Sequence, residues 1–251
     1  MTLLSIPANP VPEGALAGTI GTPDRATLRF VRWAAPANGR GTVCVFTGRG
    51  ECIEKYFETV QDLRKRGYAV AVIDWRGQGH SSRQLGNPFK GHVGSFSEYQ
   101  IDVAAFVEQV VLPNCPPPYF ALAHSMGGAI MLRAAHAGIE VFERFVLCSP
   151  MVDLPGPRTS LPMRGLVRML RAAGMGERFI PGGNSDLTKP SHFPGNPRPR
   201  IPAAMPATRL SCRPIRRSGL HRRPWRGSTP PLRRWASFGR LSSPAGFVSP
   251  S

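Results

Sequence analysis

Four short apolar runs, separated by segments of helical period, constrain the fold of this chain more than any other feature. They are TVCVFT (42–47), YAVAVIDW (68–75), YFALA (119–123) and RFVLC (144–148). Each is short enough to be a strand, and each is apolar throughout rather than alternating. That is the pattern of strands buried on both faces of a parallel sheet. Between them, Ile53, Phe57, Val60 and Leu63 recur at close to helical spacing until Gly67, and Ile101, Ala105, Phe106 and Val110 do the same over 98–112. Met126 to His136 reads as a third helix. Strands alternating with helices build βαβ units, so the fold class is α/β with a doubly wound, mostly parallel sheet. Arg25 to Ala35 mixes β-formers with charges, as an early antiparallel strand would, and 1–24 reads as Pro/Gly-punctuated surface chain. Gly77 to Gly94 is a long glycine-rich loop, and Leu161 to Ala173 an amphipathic helix.

The third apolar run leads into Ala123-His124-Ser125-Met126-Gly127-Gly128, which opens a helix. A serine at such a turn is the nucleophile elbow of a serine hydrolase. The backbone must bend sharply, so the residues two before and two after the serine must be small. Here they are Ala123 and Gly127. The turn lifts the hydroxyl above the sheet and sets it at a helix N-terminus, where partial positive charge favours a developing anion. The competing reading is a glycine-rich helix cap without chemistry.

Thr47-Gly48-Arg49-Gly50-Glu51 follows the first apolar run. Acyl transfer needs donors aimed at the tetrahedral oxyanion. One is the backbone N–H of the residue after the nucleophile, Met126. The other comes from a loop after an early strand, and the flanking glycines make the Arg49 N–H the candidate. Alone, this stretch would be an ordinary turn.

These residues resemble the lysophospholipase and monoacylglycerol-lipase branch of the α/β-hydrolases, also described as serine-aminopeptidase-like. The resemblance lies in TGRGECIEKYFE (47–58), IDWRGQGHSS (73–82), SFSEYQIDV (95–103) and AHSMGGAI (123–130), and covers about residues 25–196. Thr47 stands where the family usually has His, and Ala123 where it usually has Gly. The resemblance implies an α/β-hydrolase fold, serine esterase or lipase chemistry at Ser125, a small-molecule or lipid ester as substrate, and no cofactor or metal. It also implies that Asp74, Arg76 and His80 are scaffold rather than catalyst.

The family places its catalytic acid and histidine beyond a cap, in the order Ser, Asp or Glu, His. After Ser125 this chain offers His136, His192 and His221, with Glu140, Glu143, Asp153, Glu177 and Asp186. None sits in a convincing strand–loop context. Asp153 follows a strand end, where some hydrolases keep the acid.

Composition changes abruptly near Asn196-Pro197. The chain has 251 residues and a formal charge of +17. Residues 1–196 account for +5 of it and residues 197–251 for +12, the latter from 12 arginines with no lysine or acid. Arg, Pro, Ser, Gly and Ala make up 39 of those 55 residues. Such a segment buries too little apolar surface to offset chain entropy and is expected to be disordered. An out-of-frame reading of a GC-rich gene produces this composition. The rival is a genuine basic tail, with Trp225 and Trp235 among its arginines, but no nucleic-acid module accompanies it. The expected organisation is 1–155 as the N-terminal part of an α/β-hydrolase core, 156–196 as the start of a cap, and 197–251 as the tail.

Five cysteines without CxxC spacing or a histidine cluster argue against a disulfide framework and a metal site. No signal peptide and no run of 18 apolar residues is seen, so a cytoplasmic protein is expected, touching membranes only peripherally through a lipid substrate. The function expected is hydrolysis of carboxylic esters. The alternative is a catalytically inactive or truncated hydrolase fragment, or a basic binding protein. The oligomeric state is not legible.

Overall fold

A computed structural model describes residues 3–7, 9–87, 90–153 and 161–175. Six strands, β1 (Leu16–Gly21), β2 (Thr27–Trp33), β3 (Thr42–Phe46), β4 (Ala69–Ile73), β5 (Tyr119–His124) and β6 (Phe142–Cys148), form one sheet in the order β1-β2-β4-β3-β5-β6. β3 to β6 run parallel, and β1 and β2 are antiparallel additions at one edge. The four apolar runs thus become the four parallel strands, and β3 and β4 are buried at every position.

Helices cover both faces. A single 3₁₀ turn (Ile53–Tyr56) leads into α1 (Phe57–Lys65), whose Phe57 and Val60 join Ile53, Val43, Val45, Val70 and Val72 in one core. On the other face lies α2 (Glu98–Phe106), which continues through a π-helical turn (Val107–Val111) into the short α3 (Leu112–Asn114). It packs there with α4 (Met126–His136) over Phe46, Ala71, Ile73 and Ala121. Because successive side chains of a strand point to opposite faces, one continuous apolar run feeds both cores. α5 (Leu161–Ala172) keeps Met169 62% exposed.

Two expectations need correction. The stretch 1–24 is not surface chain alone, because Leu16–Gly21 pairs with β2 as an edge strand. Its glycines mask the pattern: a Cβ on Gly18 would lie 2.9 Å from the Phe30 ring, so the glycine there makes room for a cross-strand aromatic. The last strand begins at Phe142, two residues before the expected Arg144, and a register irregularity near its start absorbs Glu143. Among the described residues β6 pairs only with β5 and forms an edge, with Val146 38% exposed. The expected tail at 197–251 lies outside the described residues.

Candidate active site

β3 and β5 are register neighbours, with Phe46 opposite Ala123. The residues that follow them therefore leave the sheet side by side. From β3 the chain turns to β4 on one flank, and β5 lies on the other, so this is the switch point where open α/β sheets bind ligands.

Ser125 occupies the bend between β5 and α4, with φ 49° and ψ −112°. A non-glycine residue in such a conformation persists only where its surroundings over-determine it. The Ser125 N–H donates to the Cys148 carbonyl at 3.0 Å, and its own carbonyl accepts from the Met151 N–H at 2.9 Å and the Ala129 N–H at 3.1 Å. Its hydroxyl is partly exposed and makes no hydrogen bond among the described residues. The rule that small residues must flank the serine has direct causes. Ala123 is fully buried, and a Cβ on Gly127 would fall 2.4 Å from the Phe46 carbonyl oxygen and 2.6 Å from that of Thr47. A Cβ on Gly128 would meet Pro150 at 2.9 Å.

The loop after β3 offers three consecutive N–H groups. The Gly48 N–H donates to Glu51 Oε2 at 2.6 Å, and the Gly50 N–H to Gln78 Oε1 at 2.8 Å. Between them, the Arg49 N–H has no partner among the described residues, and neither has the Met126 N–H in the first turn of α4. These are the two donors the sequence singles out.

Glu51 is a site residue whose partners the sequence did not foretell. Besides Gly48, its carboxylate takes the Tyr56 hydroxyl at 2.5 Å, the Lys55 ammonium, and His124 Nδ1 at 3.3 Å. Burial alone would raise its pKa, but the hydrogen bonds from Lys55, Tyr56 and Gly48 outweigh this and hold it at about 2. One ionised carboxylate thus joins the loop after β3 to the residue before Ser125. The spacing from Glu51 to Lys55 was visible as one helical turn, but the 73-residue separation from His124 was not.

Asp74, Arg76 and His80 build the wall behind these loops. Asp74 accepts from Arg29 Nε at 2.7 Å, the Ile53 N–H at 2.9 Å and the His80 N–H at 2.9 Å, and Arg29 also binds Glu54 through two bonds of 2.7 Å. Arg76 binds Asp102, Glu98 and Asp24. Arg29, Asp74 and Asp102 are fully buried and Arg76 is 1% exposed. Removing one member of such a buried group typically costs about 3–5 kcal/mol.

Of the remaining triad candidates, His136 closes the 11-residue helix α4, about 16 Å along its axis from Ser125 at ~1.5 Å per residue. Asp153 is exposed, two residues beyond Met151. Glu140 and Glu143 border the start of β6, the end of the strand away from the elbow. His192, His221, Glu177 and Asp186 lie outside the described residues. Among the described residues no three His, Cys, Asp or Glu side chains group as metal ligands. No described helix is long and apolar enough to cross a membrane.

The elbow, the donor loop and the parallel sheet fall within one family match: the family model described as serine aminopeptidase, S33, covers residues 37–194. The chain belongs to this family of α/β-hydrolases. It is 42% identical to lysophospholipase L2 of Escherichia coli (strain K12) over 131 residues, which are 52% of this chain and 38% of that protein. It is 28% identical to the monoglyceride lipase of Rattus norvegicus over 138 residues, 55% of this chain and 44% of that one. The chain therefore spans less than half the length of these relatives. Among solved structures, a thermostable carboxyl esterase from Bacillus coagulans superposes with a TM-score of 0.53 at 19% identity, over 68% of this chain and 55% of the esterase. That likeness shows the fold. The family match ends at 194, three residues before the composition changes.

Proposed function

We propose that the protein is, or is part of, a serine hydrolase of carboxylic esters of the lysophospholipase or monoacylglycerol-lipase type. Ser125 is the nucleophile in this reading, and the N–H groups of Met126 and Arg49 receive the oxyanion. The observation that carries it is the Ser125 backbone, bent to φ 49° at a strand–helix junction with its hydroxyl unbonded among the described residues. Attack by Oγ on the acyl carbon would place negative charge on the carbonyl oxygen at the N-terminal end of α4, where fixed donors act without reorganising. The names of the relatives, a lysophospholipase and a monoglyceride lipase, support a lipid ester as substrate. In the same reading α5 begins a cap, and its exposed Leu166 and Met169 supply apolar surface suited to an acyl chain.

A serine hydroxyl needs a base to attack at neutral pH. His136 ends α4, at the opposite end of that helix from Ser125, and this supports a second reading in which the 251-residue chain folds the elbow but turns over slowly or not at all. Loss of a triad histidine typically costs on the order of a million-fold in turnover. Two measurements separate the readings. Labelling by a fluorophosphonate, mapped to Ser125 and absent in Ser125→Ala, supports the nucleophile, and labelling elsewhere sinks it. Turnover of a short-chain aryl ester at roughly 1 per second or more, lost in Ser125→Ala, shows that a base lies within the chain, and His192 and His221 are then the first to substitute.

A further inference from the structure

The loop after β3 carries a second feature that acyl transfer does not use. The Arg49 guanidinium is half-buried and makes no hydrogen bond or ion pair among the described residues. Burial draws it below the ordinary arginine range, and the one opposing electrostatic interaction is with Tyr99. The other buried guanidiniums near the site are saturated, Arg29 by Asp74 and Glu54 and Arg76 by Asp24, Glu98 and Asp102. Nor is a carboxylate left for Arg49: Glu51 is committed to Lys55, Tyr56, Gly48 and His124, and Asp102 to Arg76.

Two more polar groups stand unbonded beside it. Tyr99 is 1% exposed, held edge-on against Trp75 at 5.6 Å and Phe96 at 5.3 Å, and its hydroxyl has no partner. Gln78 is 4% exposed. Its Oε1 is fixed on the Gly50 N–H, the residue after Arg49, which leaves Nε2 buried and unbonded. The Gln78 amide and the Tyr99 hydroxyl are neighbours that stop short of hydrogen-bond geometry. A guanidinium and an amide nitrogen are donors only, and a phenol donates readily. A buried donor without an acceptor is costly, and an unpaired charge costs more. Three such donors, on and around the loop after β3, are complementary to one kind of ligand, a group of anionic oxygens.

We propose that Arg49, Gln78 and Tyr99 form an anion-accepting subsite beside Ser125, which takes a phosphate- or carboxylate-class group of the ester or of its product. Its place next to the reacting bond rests on the reading of Ser125 as nucleophile; the binding of the anion does not. The main-chain N–H of Arg49 faces the oxyanion in that reading, so an anion on its side chain lies within one arginine's reach of the acyl carbon. Esters carrying a negative charge close to the ester bond are the substrates this arrangement favours.

The test is calorimetric titration of the full chain with glycerol 3-phosphate, butyrate and glycerol. An anion binds and glycerol does not. Arg49→Gln, checked for an unchanged thermal midpoint, weakens that binding by about tenfold or more. Tyr99→Phe, which keeps the ring packing, weakens it several-fold and decides the matter if Arg49→Gln fails to fold. Ser125→Ala leaves it unchanged, so failure of the esterase reading is visible separately. Preference for glycerol 3-phosphate identifies a phosphoryl headgroup as the source of the anion, and preference for butyrate the acyl product. The proposal is overturned if neither anion binds at about 10 mM, if glycerol binds as well as glycerol 3-phosphate, or if the Arg49 and Tyr99 variants bind as the wild type does.

Discussion

Gly127 sits against the end of β3 so closely that a Cβ on it would lie 2.4 Å from the Phe46 carbonyl oxygen. The obstacle is backbone, which cannot rotate away as a side chain would. Gly127→Ala must therefore push α4 off the sheet or unbend the elbow. Overpacking of this kind costs about 1–3 kcal/mol. Urea denaturation should show a loss in that range, and fluorophosphonate labelling of Ser125 should fall with it. An unchanged midpoint and undiminished labelling would mean that the helix slides without cost.

Ser125 itself is expected to be a destabilising residue. At φ 49° and ψ −112° a side chain is strained, and glycine is not. Strain of this sort is on the order of 1–3 kcal/mol. Ser125→Gly should raise the urea midpoint while abolishing labelling, whereas Ser125→Ala should abolish labelling without the gain. If the two variants are equally stable, the bend is not strained.

Acid should unstitch the site. Glu51 and Glu54 are both held at about 2 in the folded chain, below the ordinary glutamate value of 4.5. A carboxyl with a depressed folded pKa stabilises fully above its unfolded value, and that contribution is lost as pH falls through the folded value. Both contributions should therefore decline between about pH 4.5 and 2. Asp102 acts in the opposite sense: burial pushes it up to about 6, so its contribution is complete at low pH and declines as pH rises through that value. The stability difference between wild type and Glu51→Gln isolates Glu51. It should shrink as pH is lowered from 5 to 2, and a difference constant over that range would contradict the assignment.

Among the described residues β6 leaves one row of N–H and C=O groups unpaired, with Val146 38% exposed beside them. Edges of this kind recruit other chains, and a charged side chain on them blocks the pairing. Val146→Lys is predicted to increase the monomer fraction in light scattering at fixed concentration. A wild-type chain that is already monodisperse would remove the basis for the prediction.

The parallel strands and the elbow were legible because both follow from strictly local chemistry. A strand buried on two faces has to be apolar throughout, and a bend that tight has to have Ala123 and Gly127 beside the serine. β1 was not legible, because an edge strand with Gly18 under a Phe30 ring lacks the apolar signature. The Arg29–Asp74–Glu54 and Arg76–Asp102 groups were hidden for another reason. Their bonded partners lie 25 to 45 residues apart, and nothing in a sequence marks which charges will be buried together. The same holds for Glu51 and His124. Arg49 was readable as a main-chain donor from its flanking glycines, while its unpaired side chain became visible only once Tyr99 and Gln78 stood next to it.

The hydrogen bond from the Ser125 N–H to the Cys148 carbonyl ties the bend at Ser125 to the last residue of β6, the edge strand among the described residues. Strand ends at an open edge fray before the interior does, with opening free energies far below that of global unfolding. The amide proton of Ser125 should thus exchange with solvent sooner than those of Val45 or Val72, in the middle of the sheet. Each opening of β6 would relax the bend that raises the hydroxyl. The fraction of time the Ser125 bend is held is therefore set by how firmly the far side of β6 is covered, and anything that pairs with that edge would tighten a turn it never touches.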